Sequence, residues 1–285
     1  MEINFKPITL SDKAAVSAVL LQSESRFCEL TFGNLFCWGA FFDNMLFCDG
    51  ETLVTGDVKK ARFSVPLGKN RTQVIDILVN EFGAKRFTSL SKEDIALFDD
   101  RFEITQNKNY NDYIYLSESL RELKGKKLAS KRNHINAFTA DGEWNIKPIT
   151  QSDIETILSF NKKWCKNYCG EIKESLGLEL CATRRGLENF EKLGFVGLML
   201  YKNGQLCAYS YGEPINHDTF CVHVEKADQS VRGAYQMINR EFARTFCADF
   251  LYINREDDAG DEGLKRAKLS YYPTDLGIKY TATLK

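Results

Sequence analysis

The sequence has no long apolar run, no paired cysteine motif and almost no net charge. Its 285 residues include 38 basic and 39 acidic side chains, a formal net charge of -1. The overall field of the protein therefore neither selects nor excludes a polyanionic partner, and contact with nucleic acid requires a local patch. No stretch approaches the roughly 18 uninterrupted apolar residues of a membrane span. The N-terminus lacks the basic and apolar regions of a secretory signal. We therefore expect neither segment.

The nine cysteines are scattered, and none forms a Cys-x-x-Cys pair. Most lie in apolar runs, as Cys48 and Cys221 do, where free cysteine behaves as a small buried hydrophobe. Reduced thiols are typical of a reducing compartment, which predicts a cytoplasmic protein. His134 and His217 have no partners at metal-ligand spacing, so the sequence predicts no metal site. The composition, with 44% hydrophobic and 27% charged residues, is that of a globular protein.

An internal repeat divides the chain into two similar halves. Residues 4–12 and 145–153 are identical at seven of nine positions, at an offset of 141 residues. In each copy a proline ends an extended segment, and Ser11 or Ser152 is expected to cap the helix that follows. A weaker match between residues 73–94 and 236–257 supports duplication of one structural unit.

The order of predicted elements in the second half indicates the fold. A strand, two helices, three antiparallel strands, a long helix, a short strand, a short helix and a final strand follow one another from residue 144 to residue 284. This order predicts a mixed α/β sheet with helices on its faces, and it is the element order of the GNAT acyltransferase fold. We therefore expect two tandem GNAT-like domains, residues 1–120 and 143–285, joined by a basic helix at residues 121–142.

One candidate binding loop precedes the long helix of the second half. Free backbone N–H groups at a helix start bind anions, and Arg232 and Gly233 lie at that position. In GNAT enzymes this loop holds the pyrophosphate of acyl-CoA, but the present loop has a single glycine and one residue too many. Arg232 could bind a phosphate or carboxylate. A plain helix start with an exposed arginine is the alternative.

The strand before that loop carries His223 and Glu225, which an alternating pattern places on one face. A carboxylate or imidazole there can take a proton from an acceptor amine. A structural role is the alternative for His223. After the next strand, Asn254 and Arg255 continue the apolar run directly, at the strand end where α/β sites collect.

Two further segments supply candidate binding residues. Arg132 and Asn136 lie in the basic segment between the halves, and we expect them to reach the cleft of the second copy. The cations of this segment could meet phosphates, although a solvated helix face explains most of its lysines equally well. Near the front of the chain Trp38 lies among phenylalanines, which favours a core position or a pocket wall.

Several motifs resemble the C-terminal domain family of phosphatidylglycerol lysyltransferases. The run from Gly263 to Pro273, followed by Lys279-Tyr280, is similar to the C-terminal motif of that family. Residues 131–138 and 253–257 look like signatures of its soluble branch. The family is a tandem pair of GNAT-like domains and is similar to the Fem aminoacyltransferases.

The resemblance implies acyl transfer from an activated ester or thioester to an amine or hydroxyl. Lys268 would meet the charge that develops on the carbonyl oxygen, or an acceptor phosphate. Arg255, like Arg232, would hold donor phosphates or a carboxylate, and Lys279 would contact substrate. Glu225 or the substrate amine would handle the proton, and Tyr271 would line the pocket or protonate the leaving hydroxyl.

The co-substrate and the acceptor stay open at this level. No tightly bound cofactor is expected; either acyl-CoA or aminoacyl-tRNA would be the donor, and a small molecule or lipid head group the acceptor. The alternative is a non-catalytic tandem GNAT-like protein that binds a ligand. The broken glycine loop favours tRNA over CoA, while the near-zero net charge argues mildly against tRNA.

Overall fold

The computed structural model describes residues 1–168 and 174–285 of the chain, so Cys169 lies outside the described residues. The first half contains β1 (Lys6–Pro7), α1 (Lys13–Leu20), α2 (Phe32–Gly39), β2 (Met45–Cys48), β3 (Thr52–Asp57), β4 (Arg62–Ser64), β5 (Leu67–Gly68), α3 (Arg71–Phe82), β6 (Arg86–Leu90), β7 (Phe102–Gln106) and β8 (Asp112–Leu116). The connection that follows forms two helices, α4 (Ser117–Glu122) and α5 (Ala129–Ala140).

The second half follows the predicted order of elements. It contains β9 (Trp144–Pro148), α6 (Ile154–Tyr168), α7 (Glu174–Glu188), α8 (Phe190–Leu193), β10 (Val196–Lys202), β11 (Gln205–Pro214), β12 (Thr219–Ala227), α9 (Ala234–Phe246), β13 (Tyr252–Asn254), α10 (Glu262–Leu269), β14 (Asp275–Gly277) and β15 (Tyr280–Leu284). None of the described helices combines the length and apolarity that crossing a bilayer requires.

The repeated segment starts each half with the same capping arrangement. The carboxylate of Asp12 accepts hydrogen bonds from the backbone N–H (2.9 Å) and hydroxyl (2.8 Å) of Thr9. The carboxylate of Asp153 holds Thr150 in the same way, at 3.0 and 2.7 Å. The expectation that serine caps the helix is therefore wrong. Thr9 has the extended backbone of an N-cap and Ser11 already lies inside the first turn.

The two halves exchange strands. One sheet has the order β1-β2-β3-β4-β6-β15-β7, with β5 on β3, and the other has the order β14-β8-β13-β12-β11-β10-β9. The last strand, β15, lies between two strands of the first half, and β8 lies between two strands of the second half. The expected domain limits at residues 120 and 143 therefore do not coincide with the limits of the two sheets. Each sheet contains one strand from the other half of the chain.

A β-bulge in β12 decides which way its side chains point. In the register with β11, Tyr211 pairs with Val224 and Gly212 with Val222, so His223 is the extra residue. Val222 packs with the α9 side of the sheet, while Val224 packs on the opposite side with Tyr211. The alternating pattern that placed His223 and Glu225 on one face is therefore wrong.

The same sheet opens beside the bulge. Strands β12 and β13 pair in parallel only over three residues, ending at Cys221 and Asn254. Beyond that point the chain after β13 stays paired with β8. The backbone carbonyl of Tyr113 accepts the N–H of Arg255 at 3.0 Å, and the backbone N–H of Tyr113 donates to the carbonyl of Glu256 at 3.1 Å. Strand β12 continues without this partner to Ala227. The opening lies at the carboxyl ends of two parallel strands, where ligands bind in open α/β sheets.

Candidate functional site

A buried ion pair crosses this opening on the α9 side. Arg255 Nη2 lies 2.9 Å from Glu225 Oε1, and Asn239 of α9 donates to Glu225 Oε2 at 2.9 Å. The two charged side chains are only 11% and 10% exposed. Burial alone lowers the pKa of the Arg255 guanidinium, but the facing carboxylate outweighs it and raises that pKa. The arginine is therefore a fixed cation, and its plane lies over the rings of Tyr271 and Tyr115, at 4.8 and 5.6 Å from their centroids.

Three polar atoms around this ion pair have no hydrogen-bond partner. In the described part of the chain four buried side-chain atoms lack one, and three of them are Arg255 Nη1, Asn239 Oδ1 and Ser210 Oγ. Ser210 pairs in register with Glu225 on the neighbouring strand. Buried polar groups are almost always satisfied, so three orphans in one place point to a missing polar group. We call Ser210, Glu225, Asn239 and Arg255 the Glu225 cage.

The connecting helix covers the cage with a residue that sequence reasoning did not select. Lys131 of α5 donates to Ser270 Oγ at 2.6 Å and lies 4.2 Å from the ring centroid of Tyr271. Burial and the nearby Arg255 lower the pKa of Lys131. The predicted residues of this helix are placed differently, since Arg132 donates to the carbonyls of Leu123 and Gly125 and Asn136 is exposed.

Lys268 lies beneath the cage and faces the backbone. Its buried ammonium donates to the carbonyls of Arg255, at 2.6 Å, and Asp257. Burial lowers the pKa of Lys268. Both bonds hold the segment after β13, in which Glu256 has a left-handed backbone with φ of 59°. In this structure Lys268 positions Arg255, and no substrate atom is needed to explain its burial. Tyr271 is buried beside it, and burial raises the pKa of its hydroxyl.

His223 lies on the opposite face, between two carboxylates. Its Nδ1 is 2.8 Å from Glu256 and its Nε2 is 3.1 Å from Glu213. Burial lowers the pKa of the imidazole, but Cys221 and both carboxylates outweigh it and hold that pKa well above its ordinary value. With both ring nitrogens engaged, His223 presents no free lone pair to an acceptor amine.

The first half of the chain holds both of these carboxylates. Glu213 accepts the backbone N–H of Gly33 at 2.7 Å, near the start of α2, where free N–H groups favour an anion. The side-chain amide of Asn34 donates to Glu256 at 2.9 Å. The opening in the second sheet is therefore lined on this face by residues of both halves.

Two other predicted residues, Asn254 and Lys279, belong to a buried ion cluster produced by the strand exchange. The ammonium of Lys279, just before β15, lies 2.7 Å from Asp112 of β8 and 2.7 Å from Glu29. The amide of Asn254 donates to the same Asp112 at 2.8 Å. Burial on its own lowers the pKa of Lys279, but its acidic neighbours raise it well above the usual value. This cluster ties the exchanged strands together.

The remaining predicted residues lie away from these groups. Arg232 is exposed at the start of α9. Gly233 has φ of 84°, and an added Cβ would lie 2.2 Å from the carbonyl oxygen of His134, so α5 packs tightly on this loop. Trp38 stacks on Phe42 with ring centroids 5.9 Å apart. The structure thus assembles residues of β12, β13 and α10, but not the loop residues.

Sequence reasoning missed several of the residues that form these groups, among them Ser210, Glu213, Asn239 and Lys131. Two of them carried a signal, since Glu213 is a charge within an apolar strand and Asn239 a polar residue beside the apolar stripe of α9. Ser210 and Lys131 carried none, because a small hydroxyl in a strand and a lysine among lysines are ordinary.

Two mixed sheets with helices on their faces and a strand opening define the class of protein, a tandem GNAT-like fold. The described fold matches FemX with a TM-score of 0.61 at 8% identity, over 99% of this chain and 97% of that one. At this identity the likeness concerns the fold alone. The predicted fold class is confirmed.

The chain belongs to the family described as phosphatidylglycerol lysyltransferase, C-terminal, which matches residues 22–283. A crystal structure of a conserved protein of unknown function from Bacteroides thetaiotaomicron is 38% identical over the full length of both chains, with a TM-score of 0.93. The structure of L-PGS from Bacillus licheniformis has a TM-score of 0.65 at 16% identity, over 99% of this chain and 94% of that one.

One curated relative also matches. The uncharacterized protein MYCGA3080 of Mycoplasmoides gallisepticum is 27% identical over 177 residues, which are 61% of this chain and 56% of that protein. The match thus spans little more than half of the relative's length. The resemblance to this family that the sequence motifs indicated is confirmed.

Proposed function

We propose that this protein transfers an aminoacyl group from an activated ester, the 3′ end of an aminoacyl-tRNA, to an amine or hydroxyl acceptor. The observation that carries the proposal is the Glu225 cage, with its three buried polar atoms that lack partners. The cage offers a donor in Arg255 Nη1, an acceptor in Asn239 Oδ1 and a hydroxyl that can do either in Ser210. A ligand that satisfies all three must itself carry both an acceptor and a donor.

An aminoacyl ester meets this requirement. Its carbonyl oxygen would accept from Arg255 Nη1, and its α-ammonium would donate to Asn239 Oδ1 and Ser210 beside the carboxylate of Glu225. A simple acyl group would satisfy the arginine and leave the Asn239 oxygen buried without a partner, which costs about 1–3 kcal/mol. The pattern of donors and acceptors therefore favours an aminoacyl group over a simple acyl group.

In the reaction the acceptor attacks the ester carbonyl carbon and the C–O bond to the ribose breaks. Negative charge develops on the carbonyl oxygen, where the fixed guanidinium of Arg255 stabilises it in a buried site. The acceptor loses its proton and the ribose oxygen gains one; Glu225 accepts the first and Tyr271 lies nearby as a donor. Lys268 acts through Arg255, because it fixes the backbone on both sides of Glu256.

The loop before α9 helps to distinguish between the two possible donors. Its glycine packs against α5, and the loop lacks the second glycine of a pyrophosphate loop. These features favour a tRNA ester over a CoA thioester as the donor. The acceptor would be a small molecule or a lipid head group.

A non-catalytic ligand-binding protein is the second candidate. It is favoured by one observation, that both oxygens of Glu225 and both nitrogens of His223 are already engaged. A binding protein needs the cage but no free base. Both candidates bind the same ligand, but only the enzyme transfers its aminoacyl group.

The test uses a hydrolysis-resistant 3′-aminoacylamido-adenosine as the probe, its analogue without the α-amino group, and acetyl-CoA. Isothermal titration should give binding of the first probe and at least about tenfold weaker binding of the second, the loss of one buried charged hydrogen bond. Asn239→Ala should abolish this preference, while Asn133→Ala, an exposed amide of α5, should keep it. Binding of acetyl-CoA alone would refute the proposal, and release of labelled aminoacyl product from charged tRNA separates enzyme from binding protein.

A further inference from the structure

A second group of side chains lies on the other face of β12, at the junction of the two halves. Cys221 Sγ, His223 Nδ1 and Glu256 Oε1 lie within 4.8 Å of one another. The sulfur is 3.5 Å from the imidazole nitrogen and 3.8 Å from the carboxylate oxygen, and nitrogen and oxygen are 2.8 Å apart. Strand β12 supplies the first two residues, at positions i and i+2 on one side, and the segment after β13 supplies the third.

Thiolate, imidazole and carboxylate are the three ligand types that zinc takes in proteins. With Zn–S of about 2.3 Å and Zn–N and Zn–O of about 2.0–2.1 Å, a tetrahedral ion separates its ligand atoms by about 3.3–3.6 Å. The two distances to sulfur are within about 0.3 Å of those values, and the distance from nitrogen to oxygen must increase by about 0.5 Å. Glu256 is the partly exposed member of the group, which gives its side chain room for that shift.

The surroundings also match those of a metal-bound histidine. Histidine ligands usually donate their second ring N–H to a carboxylate or carbonyl, which fixes the tautomer. Glu213 occupies that position, 3.1 Å from His223 Nε2, and is itself fixed by the N–H of Gly33 at 2.7 Å. Asn34 orients the carboxylate of Glu256 at 2.9 Å. Contacts from outside the group therefore orient both His223 and Glu256.

A second acid–thiol group of the described residues, around Cys28 and Asp112, already contains a cation, the ammonium of Lys279.

We propose that Cys221, His223 and Glu256 form a zinc site at the junction of the two halves, with Glu213 as the carboxylate that orients the histidine. The described residues supply three ligands and leave a fourth position for water or another ligand, as in zinc sites that are not purely structural. The site is separate from the Glu225 cage, because the bulge at His223 turns the two groups to opposite faces of β12.

Metal analysis of the full chain, purified without an affinity tag or chelator, tests the proposal. We expect about one zinc per chain by mass spectrometry, and a thiolate-to-cobalt charge-transfer band when cobalt replaces zinc. Titration of zinc into metal-free protein in buffers of different ionisation enthalpy should show proton release on binding, because metal ligands must be deprotonated.

The variants are Cys221→Ser and, as the matched control, Cys207→Ser, another buried cysteine of the same sheet that lies outside the group. Cys221→Ser should lose the cobalt band and at least tenfold in zinc affinity, and Cys207→Ser should keep both. The proposal is overturned if the folded wild-type chain takes up no zinc or cobalt and nitrogen NMR shows His223 as an imidazolium that added zinc leaves unchanged. Binding that survives Cys221→Ser unaltered also overturns it.

Discussion

Breaking the buried ion pair of the Glu225 cage should cost much more stability than its single contact suggests. Arg255 and Glu225 are about nine-tenths buried, so water screens them little. Removing one partner leaves the other as a buried charge with incomplete compensation, which costs about 3–5 kcal/mol. Asn239 still donates to Glu225 when the arginine is replaced, which places Arg255→Met toward the low end of that range.

The double variant provides the sharper result. Replacing both charged groups, as in Arg255→Met with Glu225→Leu, removes the desolvation cost together with the attraction. Substitutions of that kind are often close to neutral. We therefore expect the double variant to be more stable than Arg255→Met alone, with a coupling energy of at least about 2 kcal/mol from urea unfolding at pH 7.

The chain contains a matched control for this cycle in the exposed pair Lys69 and Glu51. Its atoms are 2.6 Å apart, but both side chains are more than half exposed. Surface pairs contribute little, so the same cycle there should show a coupling energy indistinguishable from zero. If the Arg255–Glu225 cycle gave an equally small coupling, the ion pair would not be an organising feature of the site and the reasoning about the cage would fail.

Three further predictions concern the rest of the structure. Lys268→Met should lower the free energy of unfolding by about 2–4 kcal/mol, since two buried carbonyls lose their donor; a loss below about 1 kcal/mol in urea unfolding would contradict this. Hydrogen bonds from Lys147 and Thr150 outweigh burial, which alone raises the pKa of Asp153, and depress that pKa. This stabilisation is present above the ordinary carboxyl pKa and is lost as pH falls through the depressed value. Asp153→Asn should therefore cost about 1 kcal/mol at pH 7 and progressively less as pH falls through the depressed pKa, in paired urea titrations. Finally, residues 1–120 expressed alone should not unfold cooperatively in circular dichroism, because β15 is missing between β6 and β7; adding residues 121–285 should restore a folded complex.

Sequence patterns predicted the local elements well, for a physical reason. The order of strands and helices in the second half follows from short-range features, each of which depends on residues within one turn or one strand. The repeated capping segment was visible as an identity, although the cap is Thr9 and not Ser11. The roles of Lys268 and Lys279 as substrate contacts stay predictions. In the structure Lys268 faces backbone carbonyls, and Lys279 faces buried acids.

The contacts within the site join residues that lie far apart along the chain. Arg255 was selected because it continues a buried strand, yet its partner Glu225 is 30 residues earlier and Asn239 lies between them on a helix. Lys131, which covers the cage, meets Ser270 at a separation of 139 residues. No local sequence pattern predicts a contact between residues so far apart along the chain. Arg132 and Asn136 stand out more in the sequence, yet they are not part of the Glu225 cage.

The sequence by itself indicated the duplication and the class of fold, because these follow from repeats, periodicity and motifs. Only the tertiary structure decided that the halves exchange β8 and β15, since strand pairing depends on which edges meet in space. It also decided, through one extra residue in β12, that His223 and Glu225 face opposite ways. A bulge is a property of two strands in register, so a single strand read alone keeps the alternation that the folded sheet breaks.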